Sequence, residues 1–200
     1  MGRPREHDEH TRDALLDAAE ELLEEGGEAA LSVRAVADRV GTSTRAVYSL
    51  FGSKERMLYA LGERGWELLS SSLDQIPVTD DPIADIVRGT MEGFRRWYLT
   101  HPELFRLAFD RLGLDNPDGQ RVVQAGWAAL GRLRARVQRA HDAGLLANRD
   151  VNEVTAQFNA LCEGLAKVER RGGPGLRDDP ERIWRDALHA LLAGMRTPLP

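Results

Sequence analysis

Apolar residues recur along the chain at spacings of three and four, and strand-like alternation is hard to find, so the pattern predicts an all-α protein. Leu15, Ala18, Ala19, Leu22 and Leu23 form one stripe, and Val33, Val36, Ala37 and Val40 a second. Val47, Leu50 and Phe51 form a third, and Ile83 through Tyr98 a broader one. The punctuation agrees with the stripes. Asp81-Pro82, Asn116-Pro117 and Asp179-Pro180 each set an N-capping side chain before a proline at the first helical position, and Asp150 with Glu153 three residues on reads as a fourth helix start. Gly26-Gly27, Gly113 and Gly172-Gly173-Pro174-Gly175 mark stops. Nine helices follow, near 9–25, 33–40, 44–51, 54–73, 82–100, 102–112, 117–142, 151–170 and 180–195. The organisation expected is a three-helix unit over residues 1–53 and a larger helical body over 54–200.

The stretch from Ser32 to Leu58, SVRAVADRVGTSTRAVYSLFGSKERML, carries the most chemistry. Two short amphipathic helices, capped by Ser32 and Ser43 and joined through a tight turn at Gly41, make a helix-turn-helix. On the second helix Arg45 and Ser49 point away from the Val47, Leu50 and Phe51 stripe, with Tyr48 on the flank and Thr42 and Thr44 at the start. That face suits a DNA major groove, where arginine pairs with guanine and short hydroxyl side chains reach base edges or phosphates. Tyr48 and Lys54 are placed as phosphate anchors, and the helix N-terminus capped by Ser32 offers amides to another phosphate. Charge bears on this reading. The net charge of −5, from 27 Lys plus Arg against 32 Asp plus Glu, is not that of a strongly basic nucleic-acid binder. From Ser32 to Tyr59, however, five basic residues face two acidic ones, a local excess of +3.

This stretch resembles the helix-turn-helix of the TetR family of bacterial transcriptional regulators. The resemblance is carried by Ser32, Val36-Ala37, Gly41, Ser43, Val47-Tyr48, Phe51, Ser53-Lys54-Glu55 and Met57-Leu58, together with the preceding apolar helix from Thr11 to Leu23. Thr42 stands where an apolar residue is usual, and Leu50 where the family often has a polar or aromatic one. The resemblance implies that the outward residues named above contact DNA and that the remaining helices bind a ligand and dimerise. It also implies a repressor that a small-molecule effector releases from its operator. In the body, HPELFRLAF (101–109) is similar to a motif of one branch of the family, although Glu163 occupies a position where that branch has a histidine.

For Trp66, Phe94, Trp97, Phe105, Phe109 and Trp127 the pattern alone leaves core and ligand contact both open; the resemblance places a pocket among the helices that carry them. His101, Gln124, His141 and Asn159 are the polar residues near apolar stripes that are available to orient a ligand. Val151, Val154, Phe158, Leu161, Leu165 and Val168, and then Trp184, Leu188, Leu191 and Met195, alternate spacings of three and four as a helical bundle seam does. Phe158, Leu161, Leu165, Trp184, Leu188 and Leu191 are therefore the expected dimerisation residues. A two-fold bundle in turn predicts a roughly palindromic double-stranded operator.

Other function classes find little support. No nucleophile–base pair, carboxylate pair or cofactor loop is visible, so no enzyme and no cofactor is expected. His7-Asp8-Glu9-His10 is the nearest approach to a metal site, and no metal is expected there. Cys162 is the single cysteine, which excludes an intrachain disulfide framework, and it reads as a small buried hydrophobe rather than a redox sensor. No apolar run is long enough to span a bilayer and no secretory leader is visible, so a cytoplasmic address without membrane association is expected. Arg3-Pro4-Arg5 reads equally as a DNA-tracking arm or a solvated terminus. The rival to the regulator reading is a helical small-molecule or protein-binding module that no longer binds DNA.

Overall fold

A computed structural model describes residues 5–110, 116–147, 149–172 and 177–197, with side chains from residue 9 onward. Among the described residues every regular element is helical: α1 (Arg5–Ala30), α2 (Val33–Val40), α3 (Thr44–Phe51), α4 (Lys54–Asp74), α5 (82–100), α6 (Pro102–Asp110), α7 (Pro117–Asp142), α8 (Val151–Arg170) and α9 (Pro180–Met195). None of them is long and apolar enough to cross a membrane.

The local signals act as expected at most boundaries. Ser32 accepts the Ala35 N–H at 3.1 Å, Ser43 the Ala46 N–H at 3.2 Å, Asp81 the Ala84 N–H at 2.9 Å and Asn116 the Gly119 N–H at 2.8 Å. Asp150 accepts from the N–H groups of Asn152 and Glu153, and Asp179 from that of Arg182, so each of these helix starts has a side chain on an otherwise orphan donor. α1 begins earlier than expected because its charged first turns contain no breaker, and it is interrupted where expected. Gly27 adopts φ 65° and ψ −165°, a combination essentially reserved for glycine, so the helical path bends at Gly26-Gly27 before Leu31 enters the core. The expected stop at Gly113, the loop 173–176 and the arm residues Arg3 and Pro4 lie outside the described residues.

One difference was not legible in the pattern. The helix expected over 82–100 is α-helical at Pro82–Arg88 and Arg96–Thr100 but widens to π-helical geometry over Gly89–Arg95. Two glycines of low helix propensity lie in the segment, and the Thr90 hydroxyl donates to the Ile86 carbonyl at 3.0 Å, competing for a helix acceptor. At Gly93 a Cβ would fall 2.5 Å from Leu73, so that turn of α5 packs its backbone directly on α4.

Two compact units result. The first comprises residues 1–67 and 101–126, and the second 68–100 and 127–200; the expected division at residue 53 falls inside the first. In the first unit Leu15, Ala19, Leu23, Leu31, Val36, Ala37, Val47, Met57, Leu61 and Leu104 are buried together. In the second, Ile86, Val137, Ala140, Val154, Phe158, Trp184 and Leu188 are among the least exposed. Asp85 is also fully buried there. It accepts from the Thr79 N–H and hydroxyl at 2.8 Å each and from Arg139 at 2.7 Å. Burial alone would raise its carboxyl, but these hydrogen bonds outweigh burial and hold it below the usual carboxylate range.

Candidate nucleic-acid interface

The short helices α2 and α3 owe their geometry to two backbone features. Gly41 sits at φ 73° in the left-handed region, which lets its N–H reach the Ala37 and Asp38 carbonyls and turns the chain sharply out of α2. Thr42 donates its N–H to the Ala37 carbonyl at 2.9 Å, and Ser43 opens α3. Val47 and Phe51 are then buried under α3, Leu50 is half-buried at the edge, and Thr44, Arg45, Tyr48 and Ser49 are exposed. Ser32 and Ser43 are exposed beside them, and Thr42 is half-buried. All of the residues expected to face DNA except Lys54 thus belong to α3, its turn, or the cap of α2.

The charges around this face are less available than a tally implies. Arg39 is held by Glu21 at 3.0 Å and by both oxygens of Glu25 at 2.9 and 3.1 Å, which ties α2 to α1. Arg56 at the start of α4 donates to Asp118 at 2.8 Å, and Asp118 is also bound by Arg121. Lys54 donates from Nζ to the Glu28 carbonyl at 3.0 Å, so part of its hydrogen-bonding capacity secures the bend of α1. Arg34 has only a loose, fully solvated contact with Asp38 at 3.7 Å. Arg45 alone among the basic residues of 32–59 has no hydrogen-bond or ion-pair partner among the described residues, and its side chain is exposed. The acidic residues of α1 work in the opposite direction to their sign: Glu21 and Glu25 build the platform on which α3 stands. Arg12 completes it, its guanidinium 5.5 Å above the Phe51 ring.

Behind the recognition surface a polar path leads away from α3. Gly52, at φ 79°, closes α3, and Ser53 caps α4 by accepting the Arg56 N–H at 3.1 Å. Asp118 then joins Arg56 to the first turn of α7, where Asn116 also donates to the Tyr59 hydroxyl at 3.1 Å. Donation from Arg56 holds the Asp118 carboxyl below the usual range. Elsewhere in the unit, His101 lies 3.0 Å from Glu20, and Arg64 is paired with both Asp17 and Glu20. Sequence reasoning missed this path, since Arg56 and Asp118 are 62 positions apart and neither sits in a recognisable motif.

The residues expected around a ligand divide into separate groups. Trp66, Phe105 and Phe109 cluster in the first unit, with ring centroids 4.6 Å apart for Trp66–Phe109 and 4.7 Å for Phe105–Phe109. Phe94 and Trp97 cluster in the second, 6.1 Å apart, with Tyr98 and Trp184 beside them. Glu169, not singled out by pattern, accepts from Arg95 and from the Trp184 indole at 2.7 Å each within that cluster. Asn159 is half-buried on α8, Gln124 is exposed, and His141 is beside Asp142. Trp127 departs from expectation: it is 66% exposed on α7, where it lines no interior.

The expected dimerisation residues divide by burial. Phe158, Trp184 and Leu188 have no exposed surface within the single chain, because the α8 and α9 stripes turn their largest members into their own core. Leu161, Leu165 and Leu191 are only half-buried. With them on the outer face lie Gly164 and Val168 of α8 and Ala187, Ala190 and Gly194 of α9, and a Cβ at either glycine would meet nothing within 4 Å. Cys162 is buried as expected, and loss of solvent pushes its thiol up to about 12. Among the described residues no three His, Cys, Asp or Glu side chains converge as a metal site; the His7 and Asp8 side chains of the candidate segment lie outside the description.

Comparison with known proteins bears on both parts of the chain. Residues 15–61 match the bacterial regulatory proteins of the tetR family, and residues 87–191 match the tetracyclin repressor-like C-terminal domain. No curated protein matches the sequence. Among solved structures, a protein of unknown function from Rhodococcus sp. RHA1 is similar at a TM-score of 0.82 and 24% identity, over 93% of this chain and 95% of that one. The TetR family transcriptional regulator PfmR from Thermus thermophilus is similar at 0.70 and 22% identity, over 92% of this chain and 99% of PfmR. RolR, in complex with resorcinol, is similar at 0.66 and 20% identity, over 96% of this chain and 90% of RolR. A helix-turn-helix built on these residues and a C-terminal domain match covering more than half of the sequence place the chain in the tetR family of bacterial regulatory proteins.

Proposed function

We propose that the protein is a homodimeric, cytoplasmic repressor that binds a palindromic operator and leaves it when a small organic molecule binds among the helices beyond residue 53. The observation that carries the DNA reading is the outward face of α3. Four exposed polar residues, Thr44, Arg45, Tyr48 and Ser49, stand on a helix fixed from beneath by Val47 and Phe51, and Arg45 has no protein group among the described residues competing for its guanidinium. In this reading Arg45 and Ser49 meet base edges. Ser32, Thr42, Ser43, Thr44, Tyr48 and Lys54 hold the phosphates that set register.

Two copies are required to span a palindrome, with recognition helices roughly 34 Å apart. The outer faces of α8 and α9 support the pairing: Leu161, Gly164, Leu165 and Val168 repeat at three and four, and so do Ala187, Ala190, Leu191 and Gly194. Trp66, Phe105 and Phe109, or Phe94, Trp97 and Asn159, are the groups from which an effector site is built. Aromatic walls favour a flat organic molecule, and the fold similarity to RolR in complex with resorcinol is consistent with that chemistry. The effector would act by population shift, repositioning α4 and, through Gly52 and Ser53, the two copies of α3.

Selection from a random double-stranded DNA pool by the purified full chain, followed by sequencing, tests the proposal. An enriched inverted repeat is the expected result. A folded dimer that enriches nothing would overturn the DNA reading in favour of a binding module.

A further inference from the structure

Between Glu9 and Arg56, the part of the chain that carries the recognition helix, ten acidic residues outnumber six basic ones. A domain that approaches a polyanion gains from the opposite balance. Resting on the DNA reading above, we infer that Glu21 and Glu25 attenuate the sequence-independent attraction of this protein for DNA, by holding Arg39 in an exposed cluster of net charge −1 beside the turn into α3.

The carboxylates of α1 divide by what they face. Asp17 and Glu20 pair with Arg64, Glu24 accepts the Glu103 N–H at 3.1 Å, and Glu28 lies 3.6 Å from Arg106, so these four are turned toward α4 and α6. Glu21 and Glu25, one helical turn apart, face α2 instead and close on the single guanidinium of Arg39 at 2.9, 3.0 and 3.1 Å. Two anions on one cation leave one negative charge over. Donation from Arg39 holds the Glu25 carboxyl below its usual range, so that charge persists at neutral pH. The Glu21 and Glu25 side chains are 62 and 59% exposed, so its field enters the solvent.

The position of the cluster brings that field to the DNA-facing turn. Arg39 lies in the last turn of α2, two residues before Gly41, and Thr42 folds back on the same turn through its bond to the Ala37 carbonyl. A phosphate held by Thr42, Ser43 or Thr44 is therefore only a few residues from the cluster. Attraction to any duplex grows with the number of cations free to replace the counterions of its phosphates. Arg39 is withdrawn from that number by α1, and Arg56 by Asp118. Building the platform under α3 from carboxylates thus fixes the helix and lowers the charge with which it meets DNA.

The tie between α1 and α2 can be broken from either side with opposite electrical results. In the full chain, Glu21→Gln with Glu25→Gln takes the cluster from −1 to +1, Arg39→Gln takes it to −2, and all three together leave it neutral. Fluorescence anisotropy with a random-sequence duplex over a range of salt concentrations measures the attraction, with helix content checked by circular dichroism. The double exchange is expected to raise random-duplex affinity at least about threefold near 0.1 M salt and to steepen the salt slope by up to about 1.8 for a dimer. Arg39→Gln is expected to lower that affinity, and the triple exchange to fall between the two. A rise of less than about threefold in the double exchange overturns this inference alone. So does a fall in affinity whichever side is broken, which is what a purely structural tie would give. Wild type and variants that bind neither random duplex nor any selected operator overturn the DNA reading with it.

Discussion

Replacing Arg45 by alanine tests the recognition face most directly, because the structure separates its effect on binding from any effect on folding. The side chain is exposed on α3 and has no partner among the described residues, so its removal strands no buried group and stability should change by less than about 0.5 kcal/mol. A bidentate arginine–guanine pair contributes about 1–3 kcal/mol of discrimination, and a dimer makes it twice, so the loss on a palindrome is about 2–6 kcal/mol, or roughly 30-fold to 20,000-fold in affinity. Fluorescence anisotropy with the selected operator and with random duplex, at several salt concentrations, reads the two contributions apart. Operator affinity should fall within that range, affinity for random duplex should change far less, and the melting temperature should hold. Lys54→Ala is the contrast. Its ammonium also holds the Glu28 carbonyl, so it should cost about 1 kcal/mol of stability and weaken all sequences together. If Arg45→Ala weakens operator and random duplex by the same factor, or by less than about threefold, Arg45 does not read bases and the placement of this face is wrong.

Asp118→Asn should destabilise the chain by about 1–3 kcal/mol in urea and weaken operator binding with the α3 face untouched; Arg56→Ala should act alike, and the double mutant should cost less than the sum. Asp85→Asn leaves Arg139 short of its counter-charge and should cost about 2–4 kcal/mol, the lower part of the range for a broken buried pair because the arginine is partly solvated. The Asp85 carboxyl is held below its unfolded value, so its contribution is complete above about pH 4 and is lost as pH falls through the folded value. Urea midpoints between pH 7 and 3 should therefore decline less steeply for Asp85→Asn than for wild type. Cys162 should react with a thiol-specific disulfide reagent at pH 8 only as fast as the protein opens, and rapid labelling of the native chain would contradict its burial.

The readings that survived contact with the structure were short-range ones. Ser32, Ser43, Asp81, Asn116, Asp150 and Asp179 each cap the helix their position predicts, because a cap involves a side chain and a backbone amide two or three residues away. Gly41 and Gly27 turn the chain where a side chain would be strained. The exposed identity of Thr44, Arg45, Tyr48 and Ser49 follows from where Val47 and Phe51 fall on the same helix. The π-helical turn of α5 is the exception within a helix: its glycines are visible in the sequence, but the close approach of Leu73 to Gly93 is not.

By itself, then, the sequence determined the helices, most of their capped starts, the recognition turn and the residues that α3 turns outward, all through covalent spacing and contacts within a few residues. Only tertiary structure decided which cations remain available: Glu21 and Glu25 take Arg39, Glu28 takes Lys54, and Asp118 takes Arg56, across 14 to 62 positions. It also decided which half of the α8 and α9 stripes is core, burying Phe158, Trp184 and Leu188 while leaving Trp127 in water. A heptad-like stripe records that a helix has an apolar face. Which neighbour that face meets depends on helices far away in sequence, and no local spacing encodes it.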